Sequence, residues 1–269
     1  MTVRVSSLYI YPIKSCGGIR VPEIILTPHG PQYDRQFVLI NDKGKFLSQR
    51  DFQETKMCLI ETELRDETLL VRAPNMPEIG VSLEPREGPI VGVTLHSDTC
   101  LGLDQGDALA EWFSEVIGSK CRLIGYAEKY PRLRESDFLG RKIHISFADS
   151  YPLLIISEES LGDLNSRLAE PLPMNRFRPN IVVSGCKPYE EDQWQEIRVG
   201  NVKLQGAKQC VRCAIPTTDQ TTGKRSKEPL RTLAKYRKTS EGVVFGRNYL
   251  HLNEGIIRER DIVYLEYLQ

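Results

Sequence analysis

Two cysteines three positions apart, Cys210 and Cys213, stand in the stretch KQCVRCAIPTTDQTTG at residues 208–223. A pair so spaced can hold a metal, cycle as a dithiol or lie inert in a core. A structural zinc site normally takes four cysteine or histidine ligands. The chain has no second C-x-x-C, and His29, His96, His144 and His251 are far apart in sequence. A thioredoxin-like pair opens a helix whose N-terminus lowers the thiol pKa. Residues 214–223 instead carry Pro216, four threonines and Gly223, which predict an extended loop. A third chemistry needs only one cysteine. A single thiolate is a soft donor suited to a redox metal when an organic cofactor supplies the other ligands. A phosphorylated cofactor also needs positive charge, for which Lys14, Arg35, Arg178, Arg212 and Arg237 are candidates. Spacing alone leaves these readings open.

The elements that must position these residues are mostly strands. VSSLYIYPI (5–13) and RQFVLIND (35–42) are rich in β-branched and aromatic residues, and NDKGK supplies a hairpin turn. TLLVRAP and PIVGVTLHSDTCLGLD continue the pattern. Residues 105–118 change period, with Ala108, Trp112, Phe113 and Val116 on one helical face and Gly118 as the stop. Residues 120–142 carry seven basic against three acidic residues and predict a strand followed by a long loop, either solvated or closing over an anionic ligand. An apolar strand at 151–156 runs into a helix capped by Ser157. WQEIRVGNVKLQGAKQC predicts a strand pair turning at Gly200–Asn201, PLRTLAKYR (229–237) a short helix and DIVYLEYLQ (261–269) a final strand. With no βαβ rhythm, no glycine-rich fingerprint and no internal repeat, the expected class is mainly β with peripheral helices (α+β), barrel-like and antiparallel. A domain boundary is expected near residue 120.

Composition narrows the function. The 36 acidic and 36 basic residues balance, which argues against a nucleic-acid polymer as partner but leaves room for a local basic pocket. No apolar stretch approaches the roughly 20 residues that cross a bilayer, so no membrane partner is expected. The start MTVRVSSLYIYPIKSC alternates like a strand and lacks the apolar run of a signal peptide, which predicts a cytoplasmic protein. Seven cysteines, an odd number, then read as reduced thiols.

YPIKSCGG at 11–18 resembles the opening of the N-terminal β-barrel module of MOSC proteins. FRPNIVVSGCKPYEEDQWQEIRVG at 177–200, CVRCAIPTTDQTTG, EPLRTLAKYR and FGRN resemble the MOSC domain itself. The chain resembles the mitochondrial amidoxime reducing components and their bacterial counterparts, molybdenum enzymes that reduce N-hydroxylated compounds. The resemblance implies a MOSC β-barrel (121–269) packed on an N-terminal β-rich module (1–120), with a molybdenum pyranopterin cofactor between them. It implies Cys213 as the metal ligand and catalytic cysteine, with Cys210 a neighbour. It carries over Lys14, Ser15, Arg35 and Arg178 as cofactor contacts, with Asp149 and Ser150 of SFADS near the cofactor and Asn248 of FGRN a further candidate. Arg212, between the two cysteines, joins them as a cation. The implied reaction delivers two electrons and two protons to an N–O bond of a hydroxylamine, amidoxime or N-hydroxylated base.

Some bacterial relatives add a C-terminal ferredoxin-like domain. This sequence has no cysteine beyond Cys213, so its electrons are expected from a separate flavoprotein, ferredoxin or haem protein. Two other functions stay open. One is a cofactor carrier or sulfur-handling protein, as MOSC domains fused to cofactor sulfurases are thought to be, here without their pyridoxal-dependent portion. The other is a metal-free, non-catalytic binding protein.

Overall fold

The computed structural model describes residues 2–52, 55–84, 88–136 and 139–266. β1 (Arg4–Ile10) buries Val5, Leu8 and Ile10 and pairs antiparallel with β2 (Ile19–Val21). β3 (Glu23–Thr27) and β4 (Gly30–Pro31) form a short hairpin. β5 (Phe37–Ile40) is the apolar run FVLI, buried along its whole length. The turn expected from NDKGK follows it, with the Asn41 carboxyl-amide oxygen accepting from the backbone N–H groups of Lys43 and Lys45. β6 (Glu61–Arg65), β7 (Thr68–Arg72) and β8 (Ile79–Ser82) make one antiparallel sheet, and β9 (Ile90–Leu95) and β10 (Asp98–Asp104) make a hairpin.

α1 (Asp107–Ile117) ends at Gly118, whose φ of 80° is the left-handed stop expected of glycine. Its buried face is Ala110, Trp112, Phe113 and Val116. Ala110, Phe113 and Val116 follow an i, i+3 ridge, which leaves Ala108 on the solvent side instead of in the core. β11 (Arg122–Gly125) then joins β5, β10 and β9 in a four-stranded sheet of order β5-β11-β10-β9. The long loop expected up to residue 142 contains a hairpin, β12 (Leu133–Ser136) with β13 (Arg141–His144). Four-residue strands are too short for their alternation to stand out in a sequence.

β14 (Leu153–Ser157) feeds α2 (Glu158–Ser166), and the Ser157 hydroxyl accepts from the Ser160 N–H as a helix cap should. β15 (Ile181–Ser184) lies parallel to β14, so the chain does contain one βαβ crossover. That corrects the purely antiparallel expectation. β14 is buried on both faces, the usual condition of a parallel strand, and a lone unit sets up no rhythm to detect. β16 (Glu196–Val199) and β17 (Val202–Val211) turn at Gly200–Asn201 as expected. α3 (Leu230–Leu233), β18 (Val244–His251), β19 (Gly255–Arg258) and β20 (Val263–Glu266) complete the chain. The last three residues of the expected 261–269 strand lie outside the described residues.

The main sheet has eight strands in the order β2-β1-β15-β14-β18-β17-β16-β20. It curls until its far end meets β1: the Val263 and Arg260 N–H groups donate to Val3 and Val5 carbonyls, and Val5 N–H donates to Asp261. This closure removes the exposed edge that an open sheet presents. Inside lie Val5, Leu8, Ile155, Ile181, Ile197, Leu204 and Tyr249. On the outer face Leu154 and Ile156 of β14 pack with Leu164 of α2, Leu233 of α3, Phe177 and Phe245. A second core, around Phe37, Leu39, Val71, Trp112, Phe113 and Leu123, holds the N-terminal strands to α1.

Candidate functional site

Three turns bring the site together. The first follows β1: Lys14 N–H donates to the Phe37 carbonyl and Arg35 N–H to the Tyr11 carbonyl, so residues 11–16 and 35–37 are laced side by side. The second is the approach to β15, which carries Arg178. The third is the end of β17, where the pairing with β18 slips between Gly206 and Gln209 and again between Gln209 and Val211. Bulges re-aim side chains, and here they turn the strand end that bears Cys210 and leads to Cys213.

All nine residues expected at the site, Lys14, Ser15, Arg35, Asp149, Ser150, Arg178, Arg212, Cys213 and Asn248, line one cavity of about 270 Å³. Its wall also carries Arg50 and Lys208, so six cations face a single carboxylate, Asp149. Phe46, Tyr151, Leu154, Phe177 and Ile215 add apolar wall. Arg237, the remaining cation considered from sequence, is elsewhere: it pairs with Asp192 and stacks 4.3 Å from the Tyr189 ring.

Ser15 (φ 68°), Arg35 (φ 48°) and Arg178 (φ 56°) all occupy the left-handed region. A side-chain-bearing residue there costs about 1–2 kcal/mol, and such strain clusters where surrounding contacts over-determine the backbone. The contacts are present. Ser15 is held by Gln49, whose amide Nε2 donates to the Ser15 carbonyl at 2.8 Å. Arg35 is held by a two-pronged bond to the buried Asp34 at 2.7 and 2.5 Å. Arg178 donates from Nη1 to the Cys16 carbonyl at 2.6 Å. Both guanidinium groups lie over the Tyr11 ring, at 4.3 and 4.1 Å from its centroid.

The Lys14 ammonium is buried and donates to the Phe147 carbonyl at 2.8 Å and to Asp149 Oδ1 at 2.5 Å. Burial lowers its pKa, and Asp149 partly restores it. For Asp149 burial among the cavity walls opposes ionisation. The Lys14 charge and hydrogen bonds from His96 and Lys14 prevail and hold the carboxyl well below the usual carboxylate range. Its side chain nonetheless stays 59% accessible, because it opens into the cavity. The His96 Nε2 lies 3.1 Å from Asp149 Oδ1 and is half-buried against the Phe46 ring.

The two cysteines differ. Arg212 Nη1 donates to Cys210 Sγ at 3.1 Å, and Cys210 packs against the apolar cluster of Phe177 and Phe245. Both cysteines line the cavity, and Cys213, half-buried like Cys210, has no hydrogen-bond partner among the described residues. No three His, Cys, Asp or Glu side chains gather as a metal cage among those residues, so a metal on Cys213 must take most of its ligands from another molecule. Sequence reasoning missed Arg50, Lys208, His96 and Asn180. Asn180 stands two residues from Arg178 in the same FRPN run and was within reach. Of the others, His96 lies at the β9–β10 hairpin tip, Lys208 in the bulged part of β17 and Arg50 in the short helical turn Gln49–Asp51, none with a local signature.

The closed β-barrel carries a free thiol in a cation-lined cavity, a setting suited to an anionic ligand beside a soft donor. Comparison with known proteins agrees. The profile of the MOSC N-terminal beta barrel domain matches residues 2–120, and that of the MOSC domain matches residues 142–264. Mitochondrial amidoxime-reducing component 1 from Mus musculus is 37% identical over 97% of this chain and 82% of that protein, and the Homo sapiens form is 35% identical over the same shares. Molybdenum cofactor sulfurase from Oryza sativa is 33% identical over 94% of this chain, which spans 33% of that protein. The chain belongs to the MOSC family, in the group that includes the mitochondrial amidoxime-reducing components. The cytoplasmic expectation is overturned by these relatives, which are named as mitochondrial proteins. Hydropathy and charge reflect solubility, which both compartments require alike, so they could not have distinguished the two. Among the described residues no helix is long and apolar enough to cross a membrane.

Proposed function

We propose that the protein is a molybdenum-cofactor-dependent reductase of N-hydroxylated compounds, in which Cys213 is the protein ligand of the metal. The observation that carries this reading is the convergence of a free cavity thiol with six cations in a chain akin to the amidoxime-reducing components. The residues present suit a molybdenum pyranopterin. Arg178 Nη2 and Arg212 Nε are buried with no acceptor among the described residues, an arrangement that costs about 1–3 kcal/mol unless an acceptor arrives. A phosphate satisfies guanidinium donors well, and the apolar wall suits a flat heterocycle. The group supplies, when bound, a two-electron couple for cleaving an N–O bond.

The chain's own residues do the rest. Arg35, Arg178 and Lys14 hold the anionic end, with Ser15, Ser150, Arg212 and Asn248 as further polar contacts. Cys213 fixes the metal end. Asp149 remains ionised and anchors the Lys14 ammonium, while the half-exposed His96 connects that carboxylate to solvent. The reaction R–NHOH + 2 e⁻ + 2 H⁺ → R–NH₂ + H₂O consumes two protons, which the solvent-accessible cavity can admit. In this reading residues 1–120 and 121–269 are two modules that both contribute, Lys14 and Arg35 from one, Arg178 and Cys213 from the other.

The electrons come from a separate protein. Four of the seven basic residues of 120–142 are engaged by nearby acids. Arg122 pairs with Asp104 and Asp107, Arg132 and Arg134 share Asp98, and Lys142 faces Glu135. Arg132 also donates to the Ser146 carbonyl, bracing the segment that bears Asp149 from behind. Lys224, Lys227, Arg231 and Lys235 are exposed, and an acidic donor is expected there, since complementary charge speeds encounter.

The similarity to a molybdenum cofactor sulfurase favours a second reading, a cofactor carrier or sulfur-handling protein. One experiment separates the two. The protein is produced in a host that makes the cofactor, assayed for molybdenum, and given an artificial one-electron reductant with benzamidoxime or a hydroxylaminopurine. Turnover that disappears with metal content in Cys213→Ala, and survives in Cys210→Ala, is expected. Loaded, reducible protein that turns over no N-hydroxylated compound supports the carrier.

A further inference from the structure

The Cys213 loop is tied to the Lys14–Ser15 turn through one side chain, that of Gln49. Its side chain is completely buried, although a primary amide alone in an apolar core is costly. The amide is satisfied from two sides. Nε2 donates to the Ser15 carbonyl at 2.8 Å and to Gln220 Oε1 at 3.3 Å, and Oε1 accepts from Gln220 Nε2 at 3.1 Å. The Gln49 carbonyl accepts from Arg225 at 2.6 Å. Ser15 is the strained residue next to Lys14, whereas Gln220 and Arg225 belong to the loop that follows Cys213.

That loop is itself stiff. The Asp219 carboxylate accepts from Thr221 N–H and Thr222 N–H at 2.9 Å, and from Arg176 at 2.8 Å. Thr55 N–H donates to the Gly223 carbonyl at 3.1 Å, fastening the loop to the segment after Gln49. A stiff loop moves as a unit, so whatever fixes its anchor fixes the thiol it carries. Gln49 sits in a short helical turn whose start is secured by reciprocal bonds between Ser48 and Asp51. Both walls of the cavity are therefore referenced to one carboxamide.

We infer that Gln49 is a positioning residue that sets the distance between the Lys14–Ser15 turn and the Cys213 loop, and so the seating of the bound group between them. This rests on the function proposed above. Only a carboxamide has both the donors and the acceptor that the geometry uses. Glu loses the donors to Ser15 and Gln220, and Met keeps the shape but loses every bond.

The test compares wild type with Gln49→Met, Gln49→Glu, Gln220→Met and the double Met variant. Hydrogen exchange on cofactor-free protein comes first, because it needs no metal. Expected is exchange at least tenfold faster in 214–226 and around residue 15 for Gln49→Met, with the barrel strands unchanged. In loaded protein the expected results are molybdenum lost on dialysis about tenfold faster and a lower kcat per molybdenum. The double variant should lose less than the sum of the two single variants, since both remove the Gln49–Gln220 link and Gln220→Met adds only the loss of its bond to the Thr218 carbonyl. Exchange that rises uniformly over the chain, or wild-type exchange and metal retention in Gln49→Met, overturns the inference. If the wild type takes up no molybdenum, the proposed function fails, while the exchange pattern still decides whether Gln49 holds the loop.

Discussion

Replacing Tyr11 should weaken the site far more than its single hydroxyl suggests. The ring is buried and lies under two guanidinium groups, Arg35 at 4.3 Å and Arg178 at 4.1 Å. The phenol donates to the Pro179 carbonyl at 3.0 Å, and burial keeps it neutral by raising its pKa. A desolvated cation over an aromatic face contributes up to about 2 kcal/mol, and a neutral hydrogen bond contributes about 1 kcal/mol. Tyr11→Phe removes only the hydroxyl and should cost about 1 kcal/mol. Tyr11→Leu also removes the face from both arginines, and should cost about 3–5 kcal/mol. The difference reports the stacking together with the lost ring volume, because Phe retains both. Urea unfolding at pH 7 measures both variants, and molybdenum content after production in a cofactor-making host reads the site. Tyr11→Leu should fall well below Tyr11→Phe on both. Equal losses of stability for the two variants would refute the argument that the ring supports the arginines.

Two further outcomes follow from particular contacts. Gly223 has a φ of +74°, and a β-carbon there lies 2.1 Å from the Thr55 carbonyl oxygen. Gly223→Ala should therefore destabilise by about 3 kcal/mol, from left-handed strain and a lost backbone bond, as measured by denaturant unfolding. Asp149 has a folded pKa below its unfolded value, so its contribution to stability is present above about pH 4 and fades as pH falls through the folded pKa. Unfolding midpoints at pH 6 and pH 3 should draw together for Asp149→Asn and wild type at the lower pH, and a gap independent of pH would contradict the pairing with Lys14.

Much of the architecture was written locally. Alternation in Arg4–Ile10, the Ser157 cap, the turn at Gly200–Asn201 and the stop at Gly118 are choices made by a few neighbouring residues, and the structure contains each of them. The site residues were legible for another reason. YPIKS, FRPN and CVRC are contiguous motifs, and their resemblance to MOSC proteins named Lys14, Arg178 and Cys213 together before any geometry was known. Spacing alone left the cysteine pair with several chemistries. Tertiary structure decided what no local window contains. It closed the sheet by joining residues 260–263 to Val3 and Val5, and it laid β15 parallel to β14 through one crossover. It paired Arg122, Arg132 and Arg134 with acids outside their own segment, Asp98 and Asp104 among them, which braces part of an apparent basic loop. It placed both cysteines on the cavity wall, with Cys210 bonded by Arg212 and the Cys213 thiol without a partner among the described residues. Burial and charge pairing are properties of groups brought together by the fold, often more than a hundred residues apart, as Lys14 and Asp149 are. A residue's type states what it can do, and only its folded neighbours determine which of those things it does.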